Sequence, residues 1–233
     1  MAYKLKEKLS NTKNYGGKRS TDKIQWIVIH YTANDGDSDE ANGKYFANNV
    51  VKSSAHYFVD SDSVTQSVKD NYVAWSVGGN KYNNDGGKYY GKVTNTNSLS
   101  IELCDDIKNG KVYPSEATIQ NAILLTKSLM KKYGIKAENV IRHYDVNGKP
   151  CPKYWVDDAK WKKEFHDKLK EFDSYLVKIN TSSLNVRAGA GTGYNITATV
   201  KKGEIYTIVD EKNGWGRLKS GAGWIKLSYT KKL

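Results

Sequence analysis

The residues best suited to chemistry in this chain are two histidines and a cysteine. His143 and Cys151 stand eight residues apart in one short stretch, and His30 ends the strand-like run 25–30. Two imidazoles and one thiolate form a borderline-soft donor set that suits Zn²⁺, and three protein ligands leave the fourth tetrahedral position open for water. This arrangement is typical of catalytic zinc, whereas four ligands usually close a structural site. From these residues alone, the alternative is two hydrogen-bonded histidines and a small buried thiol.

Four short motifs, followed by a cysteine flanked by prolines, occur in a fixed order around these residues. They are Trp26–Thr32, Ser54–Val59, Ser98–Glu102, Arg142–Asp145 and Pro150–Pro152. Their order and their sequences resemble those of the zinc-dependent N-acetylmuramoyl-L-alanine amidases of the second amidase family, over roughly residues 20–170. The resemblance implies zinc ligands at His30, His143 and Cys151. It also implies hydrolysis of the amide bond between N-acetylmuramic acid and the L-alanine of the peptidoglycan stem peptide.

The same resemblance assigns catalytic roles to Glu102 and Lys149. Glu102 would transfer protons as the general base and acid, and Lys149 would stabilise the oxyanion of the tetrahedral intermediate. Some family members place a catalytic tyrosine just before the histidine of the second motif, where this chain has Ala55. This departure favours Glu102 as the base. Without the resemblance, Glu102 would be a solvated or salt-bridged strand residue and Lys149 an exposed turn lysine.

Two further residues, Trp75 and His56, are candidates for substrate binding. Trp75 could line a groove beside the zinc or equally belong to the core. His56 lies in the middle of a strand-like run and alternates with apolar neighbours. That position also fits a structural role or a hydrogen bond to a zinc-bound imidazole.

The first two thirds of the chain alternate between strand-like and helical patterns, which predicts an α/β domain with a mixed sheet and flanking helices. Predicted strands cover 25–31, 55–60, 63–68, 98–103 and 139–142, and predicted helices cover 39–51, 115–133 and 157–172. Gly134 stands where the second helix should stop. The last helix carries Trp161, Phe165 and Leu169 on one face.

Beyond this domain, short alternating runs broken by glycines predict a small all-β barrel. The runs are 184–187, 198–200, 205–209, 216–219 and 223–226. Their amino-acid sequence resembles that of the bacterial SH3-like domain over residues 177–233, and this resemblance implies binding to the cell wall. The predicted organisation is therefore a catalytic domain at 1–172, a linker at 173–176 and a wall-binding domain at 177–233.

Charge is concentrated in the second domain, where residues 175–233 hold ten Lys and Arg against three Asp and Glu. Such a module favours an anionic partner through long-range attraction. Nucleic acid is the general alternative for a basic chain, but the lysines are scattered and no nucleic-acid-binding motif is present. We therefore expect peptidoglycan and anionic wall polymers as partners, with no nucleic acid.

No apolar run is long enough to cross a bilayer, and no apolar segment follows the charged N-terminal residues. We expect a monomer that is made in the bacterial (host) cytoplasm and acts on the wall after release. The combined prediction is a wall-lysing zinc amidase of the endolysin or autolysin type, directed at Gram-positive walls. The main alternative is a non-catalytic peptidoglycan-recognition protein on the same fold, and a basic nucleic-acid-binding protein with structural zinc is a third possibility.

Overall fold

The computed structural model describes residues 3–82, 87–170 and 174–233, and the chain divides into two compact units, 1–170 and 171–233. Residues 171–172 of the predicted last helix and residue 173 of the predicted linker lie outside the described residues. The first strand of the second unit begins at Tyr175, within the segment assigned to the linker. None of the helices in the described ranges has the length and apolar character that a bilayer span requires.

The first unit contains eight strands and four α-helices among its described residues. The strands are β1 (Lys4–Glu7), β2 (Tyr15–Lys18), β3 (Trp26–Tyr31), β4 (Tyr57–Val59), β5 (Ser63–Gln66), β6 (Tyr72–Ala74), β7 (Ser98–Leu103) and β8 (Val140–Arg142). The helices are α1 (Asp39–Asn48), α2 (Glu116–Tyr133), α3 (His143–Asn147) and α4 (Asp158–Trp161). A π-helical turn (Lys162–His166) and a 3-10 turn (Asp167–Lys170) extend α4.

Six of these strands form a mixed sheet in the order β1-β5-β4-β7-β3-β8. The β4–β5 pair is antiparallel and the other four pairs are parallel. Strands β2 and β6 form a separate antiparallel pair. The predicted α/β domain with a mixed sheet is therefore confirmed.

Three strands of this unit, β1, β2 and β6, were absent from the sequence prediction. β1 is a charged, mostly exposed edge strand, and β2 contains two consecutive glycines, which are disfavoured in strands. Neither has the apolar alternation that identifies a half-buried strand. Their pairing depends on neighbours that are distant in the sequence.

Strand β3 is buried on both faces, and its alternate residues enter two different cores. Ile27 and Ile29 pack with helix α2, whose N-cap is Ser115 and which ends at Gly134 in the left-handed conformation. This core also buries Trp161, Phe165 and Leu169, as the helical pattern predicts. Trp26 and Val28 belong to a separate cluster. Because side chains alternate along a strand, His30 projects from the Trp26 and Val28 face.

The second unit is an antiparallel sheet of seven strands in the order β11-β10-β14-β13-β12-β9-β15. They are β9 (Tyr175–Ile179), β10 (Ser183–Arg187), β11 (Ile196–Lys201), β12 (Ile205–Lys212), β13 (Trp215–Leu218), β14 (Trp224–Lys226) and β15 (Thr230–Lys232). The all-β prediction is confirmed. The two outer strands, β11 and β15, are not paired with each other within the described residues, so the predicted closed barrel is not observed.

Candidate metal centre and active site

The carboxyl ends of three neighbouring parallel strands meet at one edge of the mixed sheet. His30 in β3 and Glu102 in β7 are direct partners in the register, and Ile29 is paired with Arg142 in β8. His143 follows β8 immediately as the first residue of α3. Ligand sites in open α/β sheets commonly lie beyond the carboxyl ends of the strands. The parallel register thus brings residues 30, 102 and 143 together.

A tight turn after α3 returns the chain to this edge and delivers Cys151. Gly148 adopts the left-handed conformation at the C-terminus of α3, and its N–H donates to the carbonyl of Tyr144. The N–H of Tyr144 in turn donates to the carbonyl of Cys151 at 2.8 Å. The eight residues that separate His143 from Cys151 are therefore the short helix α3 and the turn that brings the chain back to the edge of the sheet.

Arg142 anchors this segment from a buried position. Its guanidinium donates to both carboxylate oxygens of Asp145, at 2.9 and 2.6 Å, and to the carbonyl of Trp155 at 2.6 Å. The Asp145 carboxylate also accepts the backbone N–H of Arg142. Arg142 lies within one of the sequence motifs, but its role was not predicted from the sequence. An acidic residue three positions along, at the start of a helix, was the available signal.

The two histidines and the cysteine meet in the folded chain. One ligand atom from each of His30, His143 and Cys151 lies within 4.8 Å of the others. The Sγ of Cys151 is 3.8 Å from Nδ1 of His30, and the two imidazole centroids are 4.7 Å apart. The backbone N–H of Tyr31 also donates to the sulfur of Cys151. Thus residues more than one hundred positions apart in sequence form one compact donor set.

The state of these side chains fits a bound metal cation. The Nε2 atoms of His30 and His143 are buried without a hydrogen-bond partner among the described residues. Burial lowers the pKa of His30 well below its usual range and that of His143 to about 4, so both imidazoles are neutral and able to ligate. Burial raises the pKa of the Cys151 thiol to about 12. A nearby cation would favour the thiolate.

A cavity of about 690 Å³ opens over this donor set, and Glu102 and Lys149 both line it. Glu102 Oε1 is 4.0 Å from Nδ1 of His30, and its Oε2 is buried without a described partner. Burial raises the pKa of Glu102 to about 7, the Lys149 charge opposes this shift, and the Asp37 charge adds to it. The exposed Lys149 thus places a positive charge near the carboxylate. The effect of Asp37 on the pKa of Glu102 was not predicted from the sequence, because Asp37 belongs to none of the motifs and is distant from Glu102 in the chain.

The two candidate substrate-binding residues have different positions. Trp75 is 37% exposed and lines the cavity, as does Ala55, which provides no hydroxyl group. His56 is buried and is not among the described residues that line the cavity. Its ring nitrogens lie 2.9 Å from Arg19 Nη2 and 3.1 Å from Ser100 Oγ. His56 therefore belongs to a buried hydrogen-bond network.

A second group of acidic residues, Asp39, Asp60 and Asp62, lies elsewhere in the first unit. Its carboxylates accept hydrogen bonds from the Ser63 and Thr65 hydroxyl groups and from backbone N–H groups. These hydrogen bonds offset part of the repulsion between the acids.

Each of the two units is similar to a known protein family. A family model described as N-acetylmuramoyl-L-alanine amidase matches residues 20–154, and one described as bacterial SH3 domain matches residues 182–231. The N-acetylmuramoyl-L-alanine amidase CwlL of Bacillus licheniformis is 33% identical over 179 residues, which are 73% of this chain and 47% of that protein. The chain thus spans about half the length of the curated relatives it matches.

Two solved structures extend the comparison. A mutant endolysin from Bacillus subtilis is 25% identical, with a TM-score of 0.57, and the match covers 72% of this chain and 99% of that chain. The solution structure of the PlyG catalytic domain is 28% identical, with a TM-score of 0.56, and the match covers 72% of this chain and 93% of that chain. Both family resemblances inferred from sequence motifs are confirmed.

Proposed function

This chain belongs to the N-acetylmuramoyl-L-alanine amidase family, and we propose that it hydrolyses the bond between N-acetylmuramic acid and the L-alanine of the stem peptide. The main observation that supports this proposal is that His30, His143 and Cys151 meet at an open cavity that Glu102 also lines. A complete donor set with an adjacent carboxylate favours catalysis over the alternative of a non-catalytic recognition protein.

We propose zinc as the metal, held by His30, His143 and Cys151. Neutral imidazoles and a thiolate suit Zn²⁺, whereas Mg²⁺ and Ca²⁺ prefer oxygen ligands. When bound, zinc would acidify a water molecule and polarise the carbonyl of the scissile amide. The three protein ligands leave room for substrate, as catalytic sites require.

Glu102 and Lys149 supply the remaining chemistry from the cavity wall. A carboxylate with a pKa of about 7 exists in both protonation states near neutral pH, so Glu102 can take a proton from the attacking water and deliver it to the leaving amine. The Lys149 ammonium would stabilise the negative charge that develops on the amide oxygen. Trp75, exposed on the same wall, would contact the substrate, and the hydrogen-bonded His56 would support the site from behind.

The second unit would bring the enzyme to its substrate. We propose that residues 177–233 bind the cell wall, with residues 1–172 as the catalytic domain and 173–176 as the linker. The similarity to the bacterial SH3 domain and the excess of basic residues support this division. The protein would act as a monomer on peptidoglycan of Gram-positive type after release from the cytoplasm.

Glu102→Gln tests the proposed mechanism. Hydrolysis should fall by about 100-fold or more, the scale of losing a general base, while metal content stays unchanged because Glu102 is not a proposed ligand. The assay is mass spectrometry of digested peptidoglycan, which identifies stem peptides with a free L-alanine amine. Glu138→Gln, an exposed residue of the same type, is the matched control. Products that retain the bond between the lactyl group and L-alanine, or full activity in Glu102→Gln, would contradict the proposal.

A further inference from the structure

A groove of about 440 Å³ lies on the second unit beside strands β10, β13 and β14. Its lining combines two cationic side chains, two aromatic rings and several neutral polar groups. Those used below are Ser183, Asn185, Arg187, Trp215, Lys226 and Tyr229. Half of the Tyr229 side chain is exposed, so the ring is accessible from solvent.

The strand register explains why cationic and aromatic side chains are interleaved here. Lys226 is directly opposite Trp215, and its ammonium lies 5.9 Å from the centroid of the indole ring. Arg187 is directly opposite Trp224 on the other side of β14. Since residues two positions apart share one face of a strand, Arg187, Trp215 and Lys226 all project from the same face.

The groove has positive charge without a compensating carboxylate. Neither Arg187 nor Lys226 has an acidic partner within ion-pair distance in the described ranges. The three acids among residues 174–233 have other partners: Glu204 accepts the Lys201 N–H, Asp210 pairs with Arg217, and Glu211 accepts from Tyr175. The positive charge of Arg187 and Lys226 is therefore available to an external anion.

Arg187 is held in place for such a ligand. Its Nη1 donates to the carbonyl oxygens of Thr192 and Tyr194, at 2.9 and 2.8 Å. The Nε and Nη2 atoms make no hydrogen bond to any described residue, so the opposite edge of the guanidinium can bind an anion. A fixed guanidinium loses less conformational entropy on binding phosphate than a free lysine does.

We propose that this groove binds a phosphodiester-linked polyol chain of the bacterial wall; the inference rests on the proposed wall-binding role of the second unit. Phosphate groups would pair with Arg187 and Lys226, because guanidinium and ammonium groups form charge-assisted hydrogen bonds with phosphate. The carbon backbone of the polyol would pack on Trp215 and Tyr229. Asn185 and Ser183 would form hydrogen bonds with its hydroxyl groups.

Lys226→Gln tests this site because it removes one charge and keeps the length of the side chain. Binding of the full chain is measured by sedimentation with two preparations of insoluble wall, one retaining its phosphate polymers and one stripped of them by acid. On untreated walls, Lys226→Gln should bind about three- to tenfold more weakly than the unmodified protein. Lys202→Gln, an exposed residue of the same unit outside the groove, is the matched control and should bind normally.

Stripped walls should bind the unmodified protein weakly, and soluble polyglycerol phosphate should compete for untreated walls while glycerol should not. An unchanged circular dichroism spectrum and an unchanged urea-induced unfolding transition of the second unit establish that Lys226→Gln is folded. Equal binding to stripped and untreated walls would overturn the phosphate assignment, because neutral peptidoglycan would then be the ligand. An equal loss of wall binding in Lys226→Gln and Lys202→Gln, or no loss in Lys226→Gln, would overturn the assignment of the binding site to this groove. Failure of the unmodified protein to bind either wall would instead contradict the proposed function of the second unit.

Discussion

Replacing Arg142 with methionine should destabilise the first unit and weaken its metal centre. The guanidinium is 4% exposed and bonds to both oxygens of Asp145, whose side chain is 19% exposed. Breaking a fully buried pair costs ~3–5 kcal/mol, and the partial exposure of Asp145 places the loss near the lower end. The carbonyl of Trp155 would also lose its donor. Asp158 is 75% exposed, so its bond to Arg142 adds little. The expected loss of unfolding free energy is ~3–4 kcal/mol.

The assay is urea-induced unfolding of the full chain, with the transition of each unit fitted separately. Arg217→Met is the matched control, because Arg217 pairs with Asp210 at 3.6 Å on an exposed surface and its loss should cost at most ~1 kcal/mol. Arg142→Lys should recover only part of the loss, since an ammonium cannot bind both carboxylate oxygens in the planar geometry of a guanidinium.

The metal centre provides a second measurement on the same variants. His143 follows Arg142 directly, and the ion pair fixes the start of the helix that carries it. Removal of an outer partner of a metal ligand commonly costs 10–100-fold in affinity. Competition with a chromophoric chelator should show a loss of about this size for Arg142→Met and none for Arg217→Met. If Arg142→Met lost less than ~1 kcal/mol and kept full zinc affinity, the buried ion pair would not be what holds this segment.

Two other outcomes follow from the same geometry. Cys151→Ser should bind zinc much more weakly, because a neutral hydroxyl replaces a thiolate, and should lose wall lysis; full zinc content by elemental analysis would remove Cys151 from the ligand set. Truncation after Lys170 should leave a folded, zinc-loaded hydrolase, because the core residues Trp161, Phe165 and Leu169 lie upstream. The truncated enzyme should lose more rate on whole cells than on soluble fragments, since the second unit raises the effective concentration at the wall. Equal loss on both substrates would show that the second unit shapes the active site directly.

The sequence by itself identified the elements whose signal is local. Helix α2 follows from its apolar face and its stop at Gly134, and both features are observed. Strands β3 and β7 were predicted within a residue of their bounds, because β3 is a nearly continuous apolar run and β7 alternates polar and apolar residues. The donor types at His30, His143 and Cys151 were equally visible. Chemical type and short-range periodicity are properties of the chain that need no tertiary contact.

Only the tertiary structure decided what depends on distant partners. Strands β1, β2 and β6 have only three or four residues each and form because other strands offer them hydrogen bonds. His56 lies in an alternating run that indicates a strand, but its orientation toward Arg19 depends on a contact 37 positions away. The parallel register that sets Glu102 beside His30 is likewise a long-range pairing. A local pattern specifies which residues can react, whereas the alignment of strands distant in sequence determines which of them meet, because that alignment is fixed by the packing of the whole sheet.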